Sequence, residues 1–215
     1  HDDLEQLFQH KPEMFALVNG VRQRPPYNPC LSNPDTLALV TADVLAAALA
    51  RPDCEIISVS QGDGSGMFCQ CDACKAVIAA EGESGLMLRF VNAVAREVAK
   101  KHPNVKISTL AYGETTKPPA TVRPEPNVVI QLTDERLLAD WSRIAPEIYL
   151  WYNWPICYKN LPLPAPGLPE VAVKLRRVTA DPAVRGVMFL GDYQSPGASL
   201  APLSTWVMAK QLWDC

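Results

Sequence analysis

Apolar positions along this chain recur with two periods. At helical spacing, Leu37, Val40, Val44, Leu45 and Ala48 follow Asn33-Pro34, a capping residue with proline at the first helical position, and predict an amphipathic helix to about Ala50. Met87, Phe90, Val91, Val94, Ala95 and Val98 repeat the rule after Ser84, read as the cap of a second helix that ends near Lys100, Lys101 and His102. Short unbroken apolar runs lie between and after them: EIISVS (55–60), VKISTLAY (105–112), NVVIQL (127–132), EIYLWY (147–152) and RGVMFL (185–190). Further helical patterns fall around 135–144, 169–180 and 199–212. Continuous apolar strands alternating with helices are what a parallel sheet covered by helices requires, so the expected class is α/β. Right-handed crossovers then bring every strand's C-terminal end to one side. These five strands fall short of the eight of a complete β/α barrel, so the pattern fits either an open sheet or part of a barrel.

The first 32 residues contribute a short helical segment and the irregular stretch NGVRQRPPYNPC, and no further strand of the sheet. Although proline occurs 20 times, it falls between the apolar runs, and KPPATVRPEP (117–126) and LPLPAPGLP (161–169) read as stiff loops, leaving residues 1–215 as one expected domain. The balance of 20 basic against 23 acidic side chains, a formal charge of -3, gives no footprint for nucleic acid. Nor does any apolar run reach the roughly 20 residues that cross a bilayer. The N-terminal HDDLEQLF lacks the basic and apolar regions of a signal peptide.

Cysteine occurs at 30, 54, 69, 71, 74, 157 and 215, an odd number that rules out complete pairing within the chain. The spacing Cys69-Gln-Cys71-Asp-Ala-Cys74 lets thiolates converge on one soft metal ion, a structural zinc, with Cys30 as fourth ligand where the fold brings it near. The same residues also suit a local disulfide, or thiols that pack as small hydrophobes. No other pattern asks for a cofactor: GDGSG (62–66) contains neither GxGxxG nor GxxxxGK[ST], and His10, His102 and Ser195 make no nucleophile and base pair.

Chemistry collects just past the strands: Gln61 and Asp63, then Tyr112 and Glu114, then Asp134 and Glu135, then Tyr152, Asn153 and Trp154, and finally Asp192 and Tyr193. Carboxylates from different strands, set among aromatic rings, are what glycosidic cleavage uses, one acid protonating the leaving oxygen while a second group acts on the sugar. Asp63, Glu114, Glu135 and Asp192 are the candidate catalytic acids. Gln61, Tyr112, Tyr152, Asn153, Trp154 and Tyr193 are the candidate sugar contacts. Simpler roles compete: Thr133 or Asp134 as a helix cap with Glu135 in the first turn, Glu114 as a solvated loop acid, Asp63 as a turn residue and Asp192 as a loop stabiliser.

Several ordered segments, HKPEMFALVNG (10–20), CLSNP (30–34), IISVSQGDGSGMFCQCDAC (56–74), LRFVNAVAREVAKKHP (88–103), LAYGETTKPPATVRPEPNVVIQL (110–132), GDYQSPG (191–197) and AKQLWD (209–214), resemble the bacterial family known as domain of unknown function 4838. That family is similar to glycoside hydrolase family 163, endo-β-N-acetylglucosaminidases of complex N-glycans with a β/α barrel. The resemblance implies a partial or divergent TIM barrel, corresponding to the later part of the whole, and a glycan or oligosaccharide ligand. It also suggests bacterial export, while the exposed sheet edge that an incomplete barrel leaves calls for a homo-oligomer or the missing barrel half as partner, or for a covering segment. Asp63 and Asp192 match the family's acids. The chain departs at Gly62, where a polar residue is expected, at Tyr152 and Phe189, where acids are expected, and after NVVIQL, where relatives have a longer loop. These departures leave a non-catalytic carbohydrate-binding protein, or a barrel part that needs a partner chain, as the rival expectation.

Overall fold

Residues 2–24, 27–154, 173 and 175–191 are described by a computed structural model. Helix α1 (Asp2–His10) leads into a short turn, Pro12–Met14, and a hairpin of β1 (Leu17–Val18) and β2 (Val21–Arg22). Its Asn19-Gly20 turn has both residues at positive φ, 51° and 79°, the geometry that matches the twist of a tight hairpin. Helix α2 (Pro34–Ala50) begins where the capping pair predicted, the Asn33 side chain accepting from the Asp35 and Thr36 amides at 2.8 and 3.1 Å.

Helix α3 (Asp72–Lys101) joins two helical stretches across a kink at Gly82: the second begins beside Ser84, where a start is expected, and the first, from Asp72, is an addition to the expected elements. Only Cys74 and Glu81 are buried in its first turns, so that stretch shows no apolar stripe. Gly82, at φ 74° and ψ 176°, then bends the helix, and the apolar face from Leu86 to Val98 begins after it.

The large sheet contains β3 (Ile56–Ser58), β4 (Lys106–Ala111), β5 (Val128–Leu132), β6 (Ile148–Trp154) and β7 (Val184–Gly191). A short helix, α4 (Leu138–Trp141), lies between β5 and β6. The five strands lie side by side in chain order and every neighbouring pair is parallel. An order that never reverses winds one way only, so right-handed crossovers set the connections on one face, as in a barrel and unlike a doubly wound sheet. The protein is thus α/β with a partial, barrel-like sheet. The Pro-rich stretch after β4 is a loop, as predicted, and among the described residues β3 and β7 are paired on one side only.

Alternation along the strands separates two faces. Ile57, Val59, Ile107, Ala111, Val128, Ile130, Leu132, Ile148 and Leu150 share one buried cluster with Val40 and Val44 of α2 and with Phe90, Val91 and Val94 of α3. The opposite face is polar and aromatic: Ser58 is registered with Ser108, Leu110 with Gln131, Gln131 with Tyr149, and Tyr149 with Gly186. A Cβ at Gly186 would stand 2.5 Å from the Tyr149 ring, so glycine is what lets that ring lie across the neighbouring strand. At the N-terminal end of this face, the Lys106 ammonium binds both oxygens of Glu147 at 2.7 and 2.8 Å.

Candidate functional site

The loop after β3 meets the loop after β4 at the C-terminal rim of the sheet. Tyr112 donates its hydroxyl hydrogen to Asp63 Oδ1 at 3.0 Å, and this bond to a carboxylate pushes the phenol's pKa above its ordinary value, keeping it a donor. Glu114 Oε1 accepts from the Gly66 amide at 3.1 Å, so the glycine-rich loop is tied to β4's loop a second time. Gln61 completes the junction, its Nε2 donating to the Tyr112 carbonyl at 3.0 Å and to Thr115 Oγ1 at 2.6 Å. Asp63 and Tyr112 are solvent-exposed and Glu114 is half-buried, which leaves carboxylate oxygens open to a ligand.

Beneath this rim, Ser58 and Ser60 share a buried hydroxyl contact of 2.9 Å. Ser108 Oγ and Gln131 Oε1 are buried with no hydrogen-bond partner among the described residues. Ser58, Ser108 and Gln131 lie inside the strands, not past their ends. Their signal is a period of two within the strands, polar Ser58 and Ser60, Ser108 and Gln131 alternating with the apolar residues that face the helices.

The remaining candidates are distributed differently. Asp134 caps a short turn, Glu135–Leu137, accepting from the Arg136 amide at 2.9 Å and pairing with the Arg136 guanidinium, whose charge it reinforces. Glu135 meets Arg177 at 2.8 Å, on the helical turn that precedes β7. Tyr152, Asn153 and Trp154 do not follow β6 but form its last residues, paired with Phe189, Leu190 and Gly191. Asp192 and Tyr193 lie outside the described residues.

A second constellation sits behind the glycine-rich loop. Cys30, Cys69, Cys71 and Cys74 hold their sulfurs within 4.8 Å of one another, although Cys30 is far from the others in sequence. Hydrogen bonds from Cys30 and Cys74 draw the Cys69 thiol well below the ordinary range, whereas Cys30 is pushed up to about 11 by its bond to Cys69 and Cys74 rises through its bonds to Cys30 and Cys69. Cys54 is buried apart from this group, its thiol donating to the Ile56 carbonyl at 3.3 Å.

No helix among the described residues is long and apolar enough to cross a membrane. No curated protein matches the sequence. Among solved structures the chain is similar to a β-N-acetylhexosaminidase from Bacteroides fragilis NCTC 9343, with 20% identity and a TM-score of 0.50 over 74% of this chain and 32% of that one. At this identity the likeness is one of fold, and the chain spans about a third of that protein's structure. The family described as Domain of unknown function (DUF4838) matches residues 3–215, nearly the whole sequence, and the chain belongs to it.

Proposed function

We propose that the strand C-terminal rim binds N-acetylhexosamine-containing glycans, and that the chain contributes this pocket to a glycoside hydrolase of endo-β-N-acetylglucosaminidase type. The observation that carries the reading is the Asp63 carboxylate held by the Tyr112 hydroxyl at the rim of a barrel-like sheet, beside Glu114 from the next loop. The fold likeness to a β-N-acetylhexosaminidase supports it. In this reading Asp63 accepts the acetamido N–H of the sugar, orienting the acetamido oxygen toward the anomeric carbon. The new oxygen–carbon bond forms as the glycosidic bond breaks, and the Glu114 carboxyl delivers its proton to the leaving oxygen. Water then opens the cyclic intermediate, giving its proton back to Glu114. Tyr112 fixes the rotamer of Asp63. Glu135, engaged by Arg177, takes no proton in this scheme.

Among the described residues β3 and β7 are each paired on one side only, which favours a second reading, in which the chain is a glycan-binding barrel part that further strands of a partner or of a second copy complete. Mass-spectrometric detection of products from N-glycoproteins and chitooligosaccharides separates the two. Product release that Asp63→Asn lowers by about 100-fold or more establishes the hydrolase, a loss in the range expected of a positioned acid or base. Glycan binding without release, by wild type and variant alike, would refute hydrolysis and leave the binding reading.

A further inference from the structure

We propose that Cys30, Cys69, Cys71 and Cys74 form a tetrathiolate zinc site that staples the glycine-rich loop carrying Asp63. Four sulfurs at about 2.3 Å from one tetrahedral zinc lie about 3.8 Å from each other. Cys30 Sγ stands 3.7 Å from Cys71 Sγ and 3.8 Å from Cys74 Sγ, the edge length of that tetrahedron. Disulfide sulfurs, by contrast, approach to about 2.05 Å. Iron–sulfur clusters distribute their thiolates over several irons and need a wider spread than the 4.8 Å that contains all four sulfurs here.

Zinc with four thiolates carries a net double negative charge, and the surroundings are built to receive it. The Leu17 amide donates to Cys69 Sγ at 3.3 Å, the Arg22 guanidinium lies 3.9 Å from the same sulfur, and Ser32 Oγ lies 3.1 Å from Cys74 Sγ. Cys71 is the N-cap residue of α3 and Cys74 lies in its first turn, at the positive end of the helix dipole. Cys30, Cys69 and Cys74 are buried, so an ion held there would be closed to water and structural in kind.

The site's position gives it a task. Two residues before Cys30, Asn28 is buried, accepts from the Gly62 amide through its side chain at 2.7 Å, and donates its own amide to the Met67 carbonyl at 3.2 Å. Two residues after Met67, Cys69 begins the cluster, and Gln70 pairs with the hairpin through the Leu17 carbonyl at 2.6 Å. One ion would therefore lock both anchors of the loop 61–68, together with the hairpin and the starts of α2 and α3. The metal assignment stands apart from the glycan reading, and its readouts are metal content and amide exchange.

Elemental analysis of the protein purified without chelator is expected to give about one zinc per chain. Cobalt substitution is expected to give the visible spectrum of a tetrahedral tetrathiolate. Cys71→Ser, at the most accessible ligand, is expected to cut zinc content at least fivefold while Cys54→Ser keeps it, since Cys54 stands outside the set. Hydrogen exchange before and after chelation is expected to show faster exchange across 61–71 with the strand amides unchanged. Folded protein with less than about a tenth of an equivalent of zinc, iron in its place, or an intact mass lowered by two disulfides would overturn the metal assignment. Exchange across 61–71 that chelation leaves unaltered would overturn the staple.

Discussion

Glu81 shows how one carboxylate holds a loop that chain-local patterns do not explain. Buried on α3, it accepts from the Thr121 amide at 2.8 Å, from the Thr121 hydroxyl and from the Val122 amide at 3.4 Å, and so fixes the Pro-rich stretch between β4 and β5. These donors, the Thr121 hydroxyl foremost, hold its pKa below the ordinary carboxylate value. A carboxylate depressed on folding contributes stability that is present above its unfolded pKa and lost as pH falls through the folded one. Glu81→Gln turns an amide donor toward those donors and is expected to cost about 1–3 kcal/mol at neutral pH. Urea unfolding followed from pH 7 into the acid range checks this: the gap between wild type and variant should narrow below the usual carboxylate pKa, and a constant gap contradicts it. At this scale the sequence points to Asp63, Tyr112 and Glu114 because each follows a strand. The bond between Asp63 and Tyr112 joins positions 49 apart, which no local spacing reports. Cys30 likewise joins the other thiols only through the fold.

The elements are legible in proportion to their apolar periodicity. All five parallel strands are expected from the sequence, with ends within two residues, because their helix-facing positions are apolar apart from Thr109. Helix α2 is marked by both its stripe and its cap. The first turns of α3 and the hairpin escape such a reading, the former for want of a stripe and the latter because its two-residue strands are too short to alternate. The polar period on the open face is hidden inside runs that read as continuously apolar. That face yields a test at Gly186, over which the Tyr149 ring lies. Gly186→Ala forces the ring or the strand to move, and a cost of about 1–3 kcal/mol is expected from such overpacking. Thermal unfolding measures it. An unchanged midpoint would mean that the β6 and β7 contact yields without cost.

At the scale of the molecule, a one-way order of parallel strands leaves one face to the helices and the other polar and aromatic. The first is built by the apolar alternation and the second by the residues that interrupt it. The chain covers about a third of the hexosaminidase structure it resembles in fold, and β3 and β7 present open edges among the described residues, so in the proposed function the rim formed by the loops after β3 and β4 is a sector of a larger pocket. The proposal turns on an N-acetylhexosamine being received where those two loops join. Amide chemical-shift mapping of the labelled protein with N,N′-diacetylchitobiose addresses this most directly, because it reads binding by residue whether or not cleavage follows. Saturable shifts gathered at residues 61–66 and 112–116, and weakened by Asp63→Asn, are the predicted result. Shifts confined to other parts of the fold, or no shifts at millimolar sugar, would contradict it.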